Sequence, residues 1–294
     1  MPAVSGEARF DAIPGRLRTL ATAVGVHSLA VTLSLVFALP LIWLVSTSFK
    51  TGQEAFRIPP VLIPERILLS NYLKGLTFIP IGRAFANTMI IAIPRILGSL
   101  IACSLVAYGF SCLEWDGRDT LFFLCVSTMV IPYAVVMIPL YIFYSHLGWV
   151  GTFLPLIVPY LFGEPYYIFL LRQFFLGVPS ELREAARIDG FSEFMILWKI
   201  VLPLAKPVLA IAMVFQFWWI WGDYMEPLIY LDNPALYTIA LVLHNFGVNW
   251  KGADLERYPW FMAAVTATTV PVLVLFFLVQ RTFVEGIAVT GLKG

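Results

Sequence analysis

Six stretches of this sequence are long and apolar enough to cross a lipid bilayer as helices, and they constrain its fold more than any other feature. A membrane-spanning helix needs about 20 mostly apolar residues. The stretches are 22–46, 85–110, 120–143, 151–171, 204–228 and 260–280. Charged residues make up 13% of the chain and hydrophobic residues 60%, whereas about 25% of a soluble domain is charged. The sequence therefore predicts an all-α integral membrane protein with six transmembrane helices.

The charges between these stretches indicate the direction in which the chain crosses the membrane. Six crossings place both termini on one side. If that side is the cytoplasm, it holds eleven Lys and Arg residues and the outside holds seven. Cytoplasmic loops carry an excess of Lys and Arg, so the count favours cytoplasmic termini. The expected divisions are a tail at 1–21, a first transmembrane helix at 22–46, an external loop at 47–84, a transmembrane core at 85–281 and a cytoplasmic tail at 282–294.

One polar segment, 180–203, lies between the fourth and fifth apolar stretches. Ser180 is placed to cap a first helix, and Ser192 is placed to cap a second. Gly190 stands where a helix commonly ends in a left-handed residue. The second helix is expected to pack against the spans through an apolar stripe, Phe194, Leu197, Trp198 and Val201. The segment is predicted to be two short helices joined at a glycine corner, and it either docks against another surface or lies on lipid headgroups.

The same segment carries a motif that resembles a known family. The pattern E-A-A, three residues, G, nine residues, I, one residue, L-P is matched in full by Glu184, Ala185, Ala186, Gly190, Ile200, Leu202 and Pro203. It is the signature of the membrane subunits of binding-protein-dependent ABC importers. The stretches "FANTMIIAIP", "AYGFSCLEWDGRDTLF" and "QRTFVEGIAVTGLKG" are similar to other parts of that family. The last of these resembles the tail of the carbohydrate-uptake branch, which contains the maltose permease G subunit.

The resemblance implies a type I ABC importer-like permease with a cytoplasmic coupling helix. Such a chain forms half of the pathway for a sugar, a polyol or a glycerol-phosphate-type solute, in a bacterial or archaeal cytoplasmic membrane. Its implied partners are a second related permease, a dimer of ATPase subunits, an extracytoplasmic substrate-binding protein and membrane lipid. The residues implied to couple it to the ATPase are Glu184, Ala185, Ala186, Asp189, Gly190, Ile200, Leu202 and Pro203.

The chain itself is predicted to be neither an ATPase nor any other enzyme. It has no GxxxxGK[ST] phosphate loop, so we expect ATP and Mg²⁺ to bind the partner ATPase and no cofactor to bind this chain. Its cysteines and histidines form no metal-binding pattern. A net charge of +1 gives no reason to expect a nucleic-acid partner.

Several polar residues in or beside the apolar stretches are candidates for the transport path. They are Arg95, Glu164, Gln216, Trp219, Asp223 and Glu226. Ionisable side chains are costly in lipid unless they are paired or hydrated, so Arg95 and Glu164 are interpreted either as path residues or as partners of each other. Trp218, Trp219 and Trp221 either stack on a sugar or form an interfacial aromatic belt. The segment 245–260 is either a contact for the binding protein or a solvated loop.

Two other classes of function compete with this interpretation. A secondary transporter or channel driven by an ion gradient would use Arg95 and Glu164 as a relay, but no inverted repeat is evident in the sequence. An intramembrane enzyme would need clustered catalytic residues, and neither HExxH nor GxSxG occurs.

Overall fold

The computed structural model describes residues 15–249 and 254–291, with side chains for 22–248 and 254–280. Within these ranges all regular structure is helical. The α-helices are α1 (Gly15–Ser48), α2 (Gly52–Ala55), α3 (Ser70–Phe78), α4 (Ile81–Cys112), α5 (Arg118–Ser127), α6 (Tyr133–His146), α7 (Leu154–Ile157), α8 (Pro165–Leu176), α9 (Ser180–Ile188), α10 (Glu193–Ile196), α11 (Leu202–Leu204), α12 (Lys206–Gly222), α13 (Met225–Tyr230), α14 (Ile239–Asn249) and α15 (Arg257–Gly291). Short 3₁₀ turns occupy Thr128–Val130, Val158–Phe162 and Pro234–Leu236, and a π-helical turn occupies Leu197–Val201. The predicted tails at 1–21 and 282–294 lie partly outside the described residues.

In the part of the chain that the structure describes, four helical segments are long and apolar enough to cross a membrane singly, and two bent helix pairs bring the number to as many as six. The four are Thr22–Ser48, Ile81–Cys112, Leu154–Leu176 and Arg257–Gln280. The bent pairs are Arg118–Val130 with Tyr133–His146, at 97°, and Glu193–Leu204 with Lys206–Gly222, at 79°. The helical architecture agrees with the predicted one, but the third and fifth predicted spans are not straight.

Local sequence explains both departures from straight spans. Ile131 is extended because it precedes Pro132, and a residue before proline is pushed out of the helical region. The predicted span, roughly 204–228, begins within two residues of the observed helix but extends beyond its end. A new helix starts at Lys206, with a proline in its first turn, and it stops before Asp223, whose backbone is extended.

Helix α4 is at the centre of the bundle, where it packs against α8 and α12. Cys103 and Ala107 on α4, Leu171 on α8 and Ala212 on α12 are fully buried in the same core cluster. The small side chains of Cys103, Ala107 and Ala212 let helix backbones approach closely, as is common between membrane helices. The helix thus connects most of the bundle into one unit.

Helix α15 is a second centre of packing, since α1, α3 and α12 all contact it. Gly75 on α3 is required at this contact because a Cβ there would lie 2.3 Å from the carbonyl oxygen of Trp260. The predicted external loop 47–84 therefore packs against the bundle through α3. Asn71 fastens it to the end of α1 by donating to the carbonyls of Ser48, at 3.0 Å, and Lys50, at 2.8 Å.

Candidate functional site

The segment 180–203 folds as two short helices around a glycine corner, as predicted. Gly190 has a φ of +81°, in the left-handed region. Its N–H donates to Arg187 O at 3.0 Å, and the N–H of Phe191 donates to Ala186 O at 2.9 Å. These bonds satisfy carbonyls at the end of α9 in the way typical of a glycine cap.

Only one of the two helix caps predicted for this segment is present. Ser192 caps α10, since its hydroxyl accepts a hydrogen bond from Met195 N at 3.3 Å. Ser180 does not cap α9. It is the first helical residue, Pro179 takes the capping position, and no side chain accepts a bond there.

The apolar stripe predicted to brace the second helix is half wrong. Leu197 and Val201 are buried, but Phe194 and Trp198 are exposed and stack on each other with ring centroids 6.0 Å apart. Phe194 and Trp198 are four residues apart and share an outward face, while Leu197 and Val201 share a neighbouring face that packs on the core. Ile196, which is fully buried, takes the place of Phe194 in the packing.

A carboxylate clamp fixes the glycine corner to the core. Glu193 accepts a hydrogen bond from Tyr108 Oη on α4 at 2.5 Å and another from Arg187 Nε on α9 at 2.7 Å. The bond to Glu193 raises the pKa of the Arg187 guanidinium. Arg183 adds a second tie by donating to the carbonyl of Cys112, at 3.0 Å. Both helices at the corner are thus fastened to the end of α4.

The motif residues divide into an outward and an inward group. Glu184, Ala185, Asp189, Gly190 and Pro203 are exposed. Ala186 is buried, while Ile200 and Leu202 are partly buried against the main core cluster. The arrangement presents a small-residue surface on α9 that another protein can approach closely, while the inward residues hold that surface in place.

A second polar region lies inside the bundle around Arg95. This side chain is only 3% exposed, and its guanidinium stacks over the ring of Tyr160 with Cζ 3.2 Å from the ring centroid. Arg95 Nη1 lies 3.4 Å from Glu226 Oε2, and the Tyr160 hydroxyl donates to the other Glu226 oxygen. The ion pair that the structure describes for Arg95 is thus with Glu226.

The alternative in which Arg95 pairs with Glu164 is therefore wrong. Glu164 accepts its hydrogen bond from the Ser99 hydroxyl, at 3.0 Å. Ser99 lies one helical turn after Arg95 on α4, so Glu164 is held beside the same part of that helix. The structure thus brings four of the predicted path residues into one polar cluster, which consists of Arg95, Glu164, Asp223 and Glu226. They come from three distant parts of the sequence.

The break between α12 and α13 is where Asp223 joins this cluster. Asp223 Oδ1 accepts from the backbone N–H groups of Met225, at 3.0 Å, and Glu226, at 3.3 Å. Such a side-chain turn competes with the helix, so α12 stops there. The break directs Glu226 inward towards Arg95.

Two neighbouring cavities open beside the cluster, and Trp218 and Trp219 line both. One is about 410 Å³ and is lined by Glu164, Tyr166, Tyr167, Phe215, Trp218 and Trp219. The other is about 330 Å³ and is lined by Trp218, Trp219, Gly222, Asp223, Tyr224 and Met225. Aromatic walls with a few polar groups are typical of small-molecule sites.

The remaining candidates in this region have different surroundings. Gln216 is 2% exposed, and neither atom of its amide group has a hydrogen-bond partner within the described residues. Trp221 is buried and donates to Thr268 O at 3.1 Å, so it cannot stack on a solute.

Sequence reasoning missed Tyr160, whose only signal was its place four residues before Glu164 in a stretch broken by prolines.

The segment 245–260, predicted to be either a contact for the binding protein or a solvated loop, is only partly described. Residues 250–253 lie outside the described residues. The first part continues α14, and the last part starts α15. Gly52 N donates to a carboxylate oxygen of Glu256 at 3.1 Å, so this segment contacts the ordered 47–84 loop.

Comparisons with known proteins agree with this arrangement. Residues 97–289 match the family described as "Binding-protein-dependent transport system inner membrane component". The chain is 32% identical over 280 residues to the "Osmoprotective compounds uptake permease protein GgtD" of Synechocystis, with 91% of each chain covered. It is 33% identical to the "Arabinooligosaccharides transport system permease protein AraQ" of Halalkalibacterium halodurans, over 87% of this chain and 91% of the relative.

A solved structure supports the fold. A chain from a bacterial ABC transporter "involved in the import of the acidic polysaccharide alginate" superposes with a TM-score of 0.77, over 93% of this chain and 99% of that chain, at 24% identity. The family match covers well over half of the sequence, and the fold agrees with it along nearly its full length. The chain therefore belongs to the family of inner membrane components of binding-protein-dependent transport systems, the permease subunits of ABC importers.

Proposed function

We propose that this permease forms half of the pathway of an ATP-driven importer for a sugar, an oligosaccharide or a related polyol. The observation that carries the proposal is the exposed motif surface of α9, held to α4 by the Glu193 clamp. The relatives named above take up arabinooligosaccharides and osmoprotective compounds, and a further relative is an alpha-glucoside permease of Rhizobium meliloti, 34% identical over 79% of this chain. These names support the solute class.

The ATPase contact is assigned to the outward residues of the 180–203 segment. Ala185 and Asp189 are exposed on α9, and Gly190 makes the corner. An ATPase surface can approach the small side chain of Ala185 closely, and Glu184 offers a charge for pairing. Movement of that surface is transmitted to α4 through Glu193 and to α12 through the partly buried Ile200 and Leu202. ATP and Mg²⁺ are held by the ATPase dimer.

The solute path is assigned to the cluster and its two cavities. Arg95 and Glu226 form a buried ion pair, Gln216 is a further buried polar residue on α12, and Glu164, Asp223 and Trp219 face the open space. A second permease supplies the opposite wall. A substrate-binding protein delivers the solute from the outside, and both termini face the cytoplasm, in accord with the distribution of Lys and Arg.

The test is reconstitution of this chain in liposomes with its partner permease, its ATPase and its binding protein. We expect uptake that requires ATP and the binding protein and that persists when ionophores collapse all ion gradients. Uptake driven by an ion gradient without ATP would contradict the proposal and favour a secondary transporter. As a control, an ATPase variant that binds ATP without hydrolysing it must abolish uptake in the same vesicles.

A further inference from the structure

The two cavities beside Arg95 carry charges that bear on which solutes this chain can accept. We propose, on the basis of the transport path assigned above, that its wall admits uncharged sugars and rejects sugar acids and sugar phosphates. Neither the family nor the sequence decides whether the solute is a neutral sugar or polyol or a charged glycerol phosphate. The groups that line the cavities bear on that choice.

Each cavity presents one carboxylate. Glu164 lines the larger cavity and Asp223 the smaller one, while Trp218 and Trp219 lie between them. One oxygen of each carboxylate is already engaged, by the Ser99 hydroxyl for Glu164 and by backbone N–H groups for Asp223. The second oxygen of each makes no hydrogen bond within the described part of the chain. These oxygens can accept hydrogen bonds from the hydroxyl groups of a sugar.

The nearby cation is turned away from both cavities. Arg95 lines neither of them, and it is 3% exposed. One face of its guanidinium is covered by Tyr160, and Nη1 is directed to Glu226. A phosphate or carboxylate on a solute would therefore meet one carboxyl group in either cavity, and no Lys or Arg of the described residues lines either cavity. Moving an anionic group out of water without a cation to pair with it is costly.

The tryptophans complete the fit to a neutral sugar. Trp218 and Trp219 are each 63% exposed, so their ring faces are open to the cavities they share. An aromatic face packs against the apolar C–H face of a sugar ring, while hydroxyl groups at the ring edge reach polar partners. The wall thus offers apolar faces and hydrogen-bond acceptors, the combination that an uncharged sugar uses.

The experiment measures binding of matched probes to the complete membrane complex in nanodiscs, without the binding protein, so that selectivity belongs to the membrane path. The probe pairs are maltotriose with trigalacturonate, glucose with glucuronate, and glycerol with glycerol 3-phosphate. We expect the neutral member of at least one pair to bind at least tenfold more tightly than its acid counterpart. An acid counterpart that binds within threefold of the neutral probe, or more tightly, in every pair that binds would overturn the inference.

A double variant, Glu164→Gln with Asp223→Asn, assigns the discrimination to these two carboxylates. It should reduce the ratio of neutral to acid affinity below threefold. Glu65→Gln is the matched control, because Glu65 is an exposed carboxylate that lines neither cavity and is paired with Arg57 at 2.6 Å. It should leave the ratio unchanged. An unchanged ratio in the double variant would contradict the proposal, and if that variant does not assemble, the affinities of the unmodified complex decide alone.

Failure of this inference is distinguishable from failure of the proposed function. If no probe binds the complex while ATP-driven uptake with the binding protein persists, the cavities are not a solute site and only the inference falls. If the complete system shows neither ATP-driven uptake nor stimulated ATP hydrolysis, the proposed function falls, and the inference that rests on it falls as well.

Discussion

Replacing Glu193 by alanine is expected to loosen the glycine corner without unfolding the bundle. Its carboxylate joins Tyr108 on α4 to Arg187 on α9, at 2.5 and 2.7 Å. Alanine removes both bonds at once and leaves helix α10 otherwise intact. The expected result is a corner that opens more often, so that movement of the ATPase is transmitted less effectively to α4.

The size of the effect follows from the burial of the two partners. A hydrogen bond to a charged group contributes about 1.5–3 kcal/mol, and Tyr108 is only 4% exposed, so its hydroxyl loses a partner where water has little access. In the bond between Glu193 and Arg187, both side chains are close to half-exposed, so this bond contributes roughly 0.2–1 kcal/mol. Together they give about 2–4 kcal/mol of local stability, which corresponds to a roughly 30- to 700-fold change in the opening equilibrium.

Hydrogen–deuterium exchange of the purified complex measures this opening. Amides at 186–192 should lose protection by at least tenfold in Glu193→Ala, and solute imported per ATP hydrolysed should fall. Glu181→Ala is the control, because it removes a carboxylate from the first turn of α9 that is not part of the clamp. Unchanged exchange at 186–192 and unchanged coupling in Glu193→Ala would refute the assignment of the clamp.

Two further predictions concern packing within the bundle. Arg95→Met should lower the stability of the complex by about 3–5 kcal/mol because it leaves Glu226 buried without its partner. Adding Glu226→Gln should recover part of that loss in the thermal midpoint, and adding Glu164→Gln instead should recover less; equal recovery would mean that the pairing is assigned wrongly. Gly75→Ala should cost about 1–3 kcal/mol because its Cβ would overlap a backbone carbonyl of α15. Gly82→Ala, where a Cβ meets nothing within 4 Å, should be neutral or slightly stabilising, and equal thermal midpoints for the two glycine variants would contradict this contact.

Features set by local sequence were the ones that could be predicted. Gly190 and Ser192 act within a few residues of themselves, one through its backbone conformation and the other through a cap. The spans follow from the apolar stretches, since lipid requires helices there. The bends at Pro132 and at Ala205 were harder to predict, because a proline in a membrane helix either kinks it, ends it or is tolerated.

Long-range pairing could not be obtained from the sequence. Arg95 and Glu226 are 131 positions apart, and their meeting depends on where α12 breaks. That break in turn depends on Asp223. In the sequence alone, Asp223 is equally compatible with an ordinary polar residue at the end of a straight span. Phe194 was misplaced because an apolar stripe in the sequence does not say which of its residues face the core and which face outward.

The central claim, that the 180–203 segment couples the permease to an ATPase, is tested most directly by Gly190→Val. Gly190 has a φ of +81° and open space around it, so valine acts through backbone strain of about 1–2 kcal/mol and not through a clash. Gly117→Val is the matched control, with a φ of +88° and equally open surroundings in the turn before α5. The measurement is solute imported per ATP hydrolysed, with co-purification of the ATPase, in vesicles that contain equal amounts of each variant. We predict that Gly190→Val loses the ATPase or hydrolyses ATP without import while Gly117→Val keeps both, and the claim is contradicted if Gly190→Val matches the unmodified protein in both.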